Sequence, residues 1–478
     1  TTGPRARGTV GLALAALALV AVCMGFAQTR CAKADYGADG LGQAGTTALH
    51  TGRIILLAGL ALLLEAQNLL DLLVAWELMT AGSYFLIIRG KKAQPHALGY
   101  MLFSLGGTYL IFLASALMHQ ALGTTALDQL GNLNGPVAVV VLALMATAFL
   151  TKTAALPLHI WLPGAHSEAE SDVSPMVSAI LLKAGVFGLV LVLLPLGRST
   201  AATLDLPWLL GWVGAITAVL GNMMAIYQED AKRLLAYSSV GQLGYVVFAL
   251  AMMSHLGWLA AMSFSINHFL FKALLFLAIG GVVMRTHTRE MYRMGGLIKR
   301  MPFSFISVLI GIIALSGVPP LSGFAGKWLT YNAVLEKGWF LQGALILFAG
   351  IVAFLYCFRL IHTVFLGQLK DDHRQLREAP FWMLVPQYLI ILTLMGFSVL
   401  PNTVLGPVGR FLQRYFPDHA LVWNGSHATS LFGYWDGKMV MLVVGVIFAV
   451  VLLWLLWINR RAQKVGQFNI VFAAEAPE

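Results

Sequence analysis

The chain has 478 residues, of which 59% are hydrophobic and only 11% are charged, with a mean hydropathy of +0.79. A soluble globular domain carries about 25% charged residues, so this composition excludes a soluble domain or a disordered chain. It predicts an all-α polytopic membrane protein. The net charge of +10 does not indicate a nucleic-acid partner in a chain with so few charges. The three cysteines form neither a disulfide framework nor a metal-ligand spacing.

Apolar segments long enough to cross a membrane, which takes about 20 residues, recur along the whole chain. They lack the alternation of β-barrel strands. Residues 1–27 also resemble a signal peptide, and because the chain begins at Thr1 without an initiator Met, we expect a processed or incomplete N-terminus. We predict about 13 transmembrane helices, at residues 8–27, 53–66, 69–88, 98–119, 136–157, 172–196, 207–227, 233–253, 257–284, 302–335, 338–366, 382–405 and 439–458.

The basic residues test this layout, because positive charge accumulates in cytoplasmic loops. Five of the 31 basic residues lie inside spans, and alternate assignment of the loops and tails places 19 on one side and seven on the other. The richer side is then the cytoplasm. The N-terminus is therefore predicted outside and the C-terminus inside.

Two segments, 136–163 and 302–335, are longer than one crossing needs and contain internal prolines. Proline removes a backbone donor and clashes with the preceding turn, so each segment is predicted to be a discontinuous helix. Such helices in corresponding halves of a chain indicate inverted repeats around a transport site. A lysine lies near each interruption, Lys152 before the first and Lys327 after the second. The alternative is two simple kinks in a packed bundle.

Charged side chains lie near mid-depth in several spans, where each costs at least about 2.5 kcal/mol. Burial and an approaching carboxylate change the proton affinity of a lysine in opposite senses, so such a pair can load and release a proton. Glu77 is the natural modulator, with Lys152 as its partner, whereas the alternative for Glu77 is snorkelling to the interface. The predicted proton-translocation residues are Glu77, Lys152, Lys183, His268, Lys272 and Lys327.

The histidines allow two interpretations. His268 precedes Lys272 by four residues and shares its helix face, which fits either a proton relay or a packing role. His159 and His166 are seven residues apart with a proline between them, which is not an i, i+4 ligand pair. The glycines form no phosphate loop. We therefore expect no metal site and no cofactor in this chain.

Four ordered stretches carry a resemblance to a known family. They are LTKTAALPLHIWLPGAH at 150–166, DAKRLLAYSS at 230–239, NHFLFKALLFL at 267–277 and MGGL at 294–297. Together they resemble the antiporter-like subunits of respiratory complex I, of membrane-bound hydrogenases and of Mrp-type cation/proton antiporters. The resemblance runs from about residue 53 to 366, and lysine at both Lys183 and Lys327 is most similar to the Mrp D-type and hydrogenase-associated subunits.

The resemblance implies two inverted five-helix repeats, each with a broken helix and a half-channel. The corresponding division of the chain is an N-terminal span and connection at 1–52, a first repeat at 53–196, a second repeat at 207–366 and C-terminal spans with a tail at 367–478. Relatives usually carry two more helices ahead of this point, so we expect a truncated or divergent subunit. The acidic stretch at 166–174 is a candidate cation entrance.

The family's roles carry over to matching positions. The resemblance implies that Glu77 modulates Lys152 on the first broken helix and that Lys183 passes the proton on. His268 with Lys272 then leads to Lys327, the exit residue on the second broken helix.

The function implied is H⁺ translocation by a subunit of a redox-driven complex in a prokaryotic cytoplasmic membrane, with complex I-like, hydrogenase or Mrp-type membrane subunits and the lipid bilayer as partners. The chain is then not catalytic by itself, and any redox chemistry belongs to its partners. One alternative is Na⁺/H⁺ antiport by an Mrp-type complex. Two others are secondary transport of an organic solute and a structural subunit without transport.

Overall fold

A computed structural model gives the structure of the chain and describes residues 43–90, 92–171, 173–200 and 204–459. The predicted span at 8–27 lies outside these residues. Within the described ranges, ten helices are long and apolar enough to cross a membrane. This result confirms a polytopic α-helical membrane protein.

The helices follow the predicted apolar segments closely. The segment expected at 53–66 is longer than predicted, because its helix already begins at Gln43. In chain order the helices are α1 (Gln43–Glu65), α2 (Leu69–Ile87), α3 (Gln94–Leu122), α4 (Gly135–Thr153), α5 (Trp161–Glu168), α6 (Ser174–Leu196), α7 (Leu206–Ile226), α8 (Ala231–Ala251), α9 (His255–Thr286), α10 (Pro302–Ser316), α11 (Gly323–Lys337), α12 (Phe340–Leu366), α13 (Phe381–Val399), α14 (Asn402–Leu412) and α15 (Gly437–Asn459).

Side-chain caps fix the start of several helices. Asn68 before α2, Asp230 before α8 and Ser254 before α9 each accept hydrogen bonds from backbone N–H groups of the following first turn. Those N–H groups have no partner inside the helix, so a polar cap stabilises the helix start. These polar caps mark where the connections end and the helices begin.

Helices α8 and α9 form the centre of the bundle. The whole apolar window of α8 and 89% of that of α9 are buried within the chain, whereas none of the window of α15 is. Glycines bring α7 and α8 into backbone contact: a Cβ on Gly244 would lie 2.4 Å from the Ala218 nitrogen, and one on Gly214 would lie 2.4 Å from the Phe248 nitrogen. Because the hydrophobic effect does not drive helices together inside a membrane, small residues of this kind stabilise helix association by allowing close packing.

The first long segment is interrupted, as predicted. Helix α4 ends at Thr153, Ala154 is left-handed with φ of 55°, and α5 begins only at Trp161. The backbone N–H of Leu156 donates to Thr217 Oγ1 of α7 at 3.0 Å, which satisfies a donor that the break frees. Pro163, expected to belong to the interruption, lies instead in the first turn of α5, where a missing N–H costs little.

The second long segment is also two helices. Helix α10 ends at Ser316, Gly317 turns the chain with φ of 66°, and α11 begins at Gly323. The prediction of one 34-residue span from 302 to 335 is thereby resolved into two half-length helices. Each is too short to cross a bilayer alone.

The connection before α15 is more structured than its polar sequence indicates. The span predicted at 382–405 divides into α13 and the separate helix α14, and three antiparallel strands follow: β1 (Val422–Asn424), β2 (His427–Ser430) and β3 (Gly433–Asp436). Asp436 caps α15. Although partial burial opposes its charge, hydrogen bonds from the Met439 N–H, the Ser426 hydroxyl and the Lys438 N–H lower the pKa of Asp436.

Candidate functional site

Lys152 lies in the last turn of α4, immediately before the first break, and is only 1% exposed. Its ammonium donates to three hydroxyl oxygens, those of Tyr100 at 2.7 Å, Thr80 at 2.8 Å and Ser104 at 3.1 Å. The ring of Trp76 lies 5.0 Å from the same nitrogen. Neutral oxygens and a ring face thus take the place of water around a fully buried cation.

Glu77 lies on α2, one turn before Thr80, and is only partly buried. Its carboxylate accepts a hydrogen bond from Thr108 of α3. Glu77 and Lys152 interact electrostatically, but the three direct partners of the Lys152 ammonium are hydroxyls. The structure therefore places the predicted pair in one neighbourhood without a salt bridge between them.

Lys183 follows a π-helical turn, Val177–Leu181, within α6. A π-turn contains one residue more than an α-turn and is common at functional sites. The carbonyl oxygen of Ser178 accepts a hydrogen bond from Lys183 Nζ at 3.1 Å. On its other side Lys183 Nζ hydrogen-bonds His268 Nδ1 of α9. This contact joins two groups that the sequence predicted separately.

Lys272 lies one turn after His268 in the same helix, and the two interact electrostatically. The direct partners of its ammonium are on α8: the carbonyl oxygen of Leu235 at 2.7 Å and the hydroxyl of Ser238. His268 thus faces α6 while Lys272 faces α8. Because both are almost fully buried, α9 places a polar group against each neighbouring helix.

His166 of α5 is a buried group that is not among the predicted proton-translocation residues. It is fully buried and its ring stacks on Phe276 at 5.5 Å between centroids. Among the described residues, neither ring nitrogen has a hydrogen-bond partner. Its electrostatic partners are Lys272, Lys232 and Lys183. The sequence feature that could have identified His166 as a site residue is its position at the end of the 150–166 motif.

Lys327 lies on α11 beyond the second break. Its ammonium donates to the carbonyl oxygen of Ser316 at 2.5 Å, the last residue of α10. Gly350 of α12 lies so close that a Cβ there would be 3.0 Å from Lys327 Nζ and 3.3 Å from the Tyr245 hydroxyl. The lysine therefore binds a carbonyl at a helix end, as Lys183 binds one at a π-turn.

The acidic stretch predicted as a cation entrance is engaged in ion pairs. Arg289 donates to the Ser167 carbonyl oxygen at 2.5 Å and lies 3.0 Å from Glu168 and 3.2 Å from Asp230. A second pair joins Arg89 and Glu170 at 3.0 Å. Arg289 thus connects the end of α5 to the cap of α8, and Arg89 connects the α2–α3 turn to the residues after α5.

In the described part of the chain, no group of three His, Cys, Asp or Glu side chains is placed to hold a metal ion. The buried polar groups are instead lysines, histidines and hydroxyls. Such groups exchange protons and accept or donate hydrogen bonds.

A helical membrane bundle with two interrupted helices and a buried set of lysines defines the class of antiporter-like membrane subunits. The chain belongs to the family described as NADH:quinone oxidoreductase/Mrp antiporter, TM, whose model matches residues 66–354. This match confirms the resemblance inferred from the four motifs.

Individual relatives and one solved structure agree. The chain is 32% identical to hydrogenase-4 component B of Escherichia coli (strain K12), covering 70% of this chain and 54% of the relative. It is also 32% identical to a probable K⁺/H⁺ antiporter subunit of Rhizobium meliloti (strain 1021), covering 75% and 37%. The chain thus spans about half and about a third of these relatives. A chain of an archaeal membrane-bound sulfane sulfur reductase complex superposes with a TM-score of 0.81 at 26% identity, covering 96% of this chain and 75% of that one.

Proposed function

We propose that the chain is a proton-translocating, antiporter-like subunit of a multisubunit redox-driven complex, either NADH/quinone oxidoreductase-like or membrane-bound hydrogenase-like. Protons then move along Glu77, Lys152, Lys183, His268, Lys272 and Lys327. The finer architecture belongs to the proposal: about 13 spans and inverted repeats at 53–196 and 207–366. The N-terminus is outside and the C-terminus inside a prokaryotic cytoplasmic membrane.

The observation that carries this proposal is the buried hydrogen bond between Lys183 and His268. Lys183 belongs to the proposed first repeat and His268 to the second, so the contact connects the two halves. A lysine and a histidine can share one proton only if one of them is neutral, and a shared proton can move. Lys152 and Lys327 then lie at the breaks on either side.

A second candidate is cation/proton antiport in an Mrp-type assembly. The observation that favours it is the equal identity, 32%, to a hydrogenase component and to a probable K⁺/H⁺ antiporter subunit. Under both candidates the chain carries no redox cofactor, and its partners are other membrane subunits.

The deciding experiment measures H⁺ movement in membrane vesicles that contain the intact complex, for wild type and Lys152→Ala, at several Na⁺ and K⁺ concentrations. The exposed Lys337→Ala is the matched control. Redox-driven pumping predicts loss of H⁺ movement in Lys152→Ala and a wild-type rate independent of either cation. Antiport predicts a wild-type rate that rises with one cation, and a structural role predicts no effect of Lys152→Ala.

A further inference from the structure

Resting on this function, we propose that Tyr100 and Ser83 form the limb of the path that connects Lys152 with the cytoplasmic side, and that Glu77 lies off this limb. Tyr100 is the relay that contacts Lys152, and Ser83 is the next group outward.

The contacts that carry this limb are short and buried. The Tyr100 hydroxyl lies 2.7 Å from Lys152 Nζ and 2.5 Å from Ser83 Oγ. Tyr100 and Ser83 are fully buried. One hydroxyl thus bridges the lysine and a second hydroxyl, which is the arrangement that a proton relay requires.

The other two hydroxyls at Lys152 do not continue outward in the same way. Thr80 and Ser83 both donate to carbonyl oxygens of their own helix, those of Trp76 at 2.8 Å and Met79 at 2.7 Å, so these bonds do not distinguish them. Besides Lys152, the side chains of Ser104 and Thr80 also hydrogen-bond Tyr100, so both lead back to the same phenol. Of the three partners of the ammonium, Tyr100 is therefore the one that links it to Ser83, a hydroxyl that does not itself contact Lys152.

The limb points toward the joined ends of α2 and α3. Ser83 lies one turn before the end of α2, and Tyr100 lies less than two turns after the start of α3, so both approach the connection at 88–93. The loop charges assign this connection to the cytoplasm. His96, one turn before Tyr100 on the same face of α3, is exposed.

Glu77 and Thr108 lie further along both helices, away from that connection. Glu77 precedes Ser83 by six residues and Thr108 follows Tyr100 by eight, which at 1.5 Å per residue corresponds to about 9 and 12 Å. Their hydrogen bond thus lies deeper than the Tyr100–Ser83 pair. Glu77 can therefore influence the protonation of Lys152 through its charge without lying on the proton path through Ser83 and Tyr100.

The step balances as a concerted transfer. The Ser83 O–H bond breaks and its proton bonds to the Tyr100 oxygen, while the Tyr100 O–H proton bonds to the neutral Lys152 amine. Lys152 becomes an ammonium and Tyr100 regains its hydroxyl. A hydronium ion from the cytoplasmic side gives its proton to the Ser83 oxygen and becomes water. No tyrosinate accumulates.

The test compares H⁺ uptake per assembled complex in vesicles for four variants. Ser83→Ala and Tyr100→Phe break the limb, and Ser83→Thr restores the hydroxyl. Tyr109→Phe is the control for phenol loss, because Tyr109 lies on the same helix and is 71% exposed.

We expect Ser83→Ala and Tyr100→Phe to slow uptake about tenfold or more, with Ser83→Thr and Tyr109→Phe near the wild-type rate. Ser83 does not touch Lys152, so a role in holding the ammonium predicts no effect of Ser83→Ala. Wild-type uptake in Ser83→Ala overturns the limb while an inactive Lys152→Ala leaves the proposed function intact. Wild-type uptake in Lys152→Ala overturns both. If Tyr100→Phe fails to assemble, the two Ser83 variants decide.

Discussion

Lys183 and His268 lie 85 residues apart in sequence and meet through a buried hydrogen bond between the lysine ammonium nitrogen and His268 Nδ1. If both side chains were protonated, their positive charges would repel strongly at hydrogen-bond distance in a low-dielectric interior. The pair is therefore expected to hold one proton between its two members, which makes the two side chains one functional unit.

A double-mutant cycle tests that unit. We expect Lys183→Ala and His268→Gln each to slow H⁺ translocation about a hundredfold, and the double variant to be no slower than the worse single one. The measurement is the H⁺ flux per assembled complex. His255→Gln is the matched control, because His255 is buried in the same helix and bonds the Gly409 carbonyl oxygen instead. If the reductions in H⁺ flux of the two single variants multiply in the double variant, the result contradicts a proton shared by Lys183 and His268.

Lys152→Met separates function from stability. Replacing a buried charge by an apolar side chain of similar length is often neutral or stabilising by about 1 kcal/mol or more, and Thr80 and Tyr100 retain other hydrogen-bond partners. We expect an unchanged or higher melting temperature of the purified complex together with lost H⁺ movement. A clearly lower melting temperature would indicate a structural lysine. The exposed Lys438→Met should change neither quantity.

Gly350→Ala perturbs Lys327 without changing a titratable group. The new Cβ would lie 3.0 Å from Lys327 Nζ, which is tighter than ordinary contact, so the ammonium must move by a few tenths of an ångström. We expect about a tenfold slower H⁺ flux, because small misplacements of reacting groups are costly. At Gly396, exposed on α13, a Cβ meets nothing within 4 Å. Gly396→Ala should leave the flux unchanged, and equal rates for both variants would refute the role of Lys327.

Arg289→Ala tests the ion pairs at the end of α5. This side chain is 34% exposed and contacts two carboxylates and a carbonyl oxygen, so its loss should cost about 1–2 kcal/mol of stability. Arg293→Ala removes an exposed i, i+3 pair with Glu290 and should cost less than about 0.5 kcal/mol. Thermal melting at low and high salt measures both. Added salt should reduce the difference in stability loss between Arg289→Ala and Arg293→Ala. Equal stability losses in the two variants would contradict a larger contribution from the Arg289 contacts.

The interruptions and their lysines were predictable because both cost free energy in a bilayer. Proline inside a long apolar segment cannot continue the hydrogen-bond ladder, and a lysine such as Lys152 costs free energy at mid-depth. Each signal is local in sequence. The structure accordingly places both breaks inside the predicted segments, and the family match supports the same fold.

The partners of those lysines were not predictable in the same way. Glu77 stands out as a charge, whereas Thr80, Tyr100 and Ser104 are unremarkable residues in apolar helices. Which hydroxyl faces Lys152 depends on how α2, α3 and α4 are rotated against each other, and the helical periodicity of such uniformly apolar segments does not fix that rotation. Tyr100 and Ser104, one turn apart on α3, are the faint signal that was available.

The π-turn in α6 has a consequence for how one helix serves two neighbours. Within it, the Ser178 hydroxyl contacts the Ser239 hydroxyl of α8 at 3.3 Å, and beyond it Lys183 reaches His268 of α9. Residues five apart lie about 140° apart around a regular α-helix, but the wider turn brings Lys183 back over the Ser178 carbonyl. The bulge is equivalent to a single inserted amino acid. Removing that one residue would swing the lysine off its histidine while leaving an ordinary helix behind, so chain length at this turn is itself under chemical constraint.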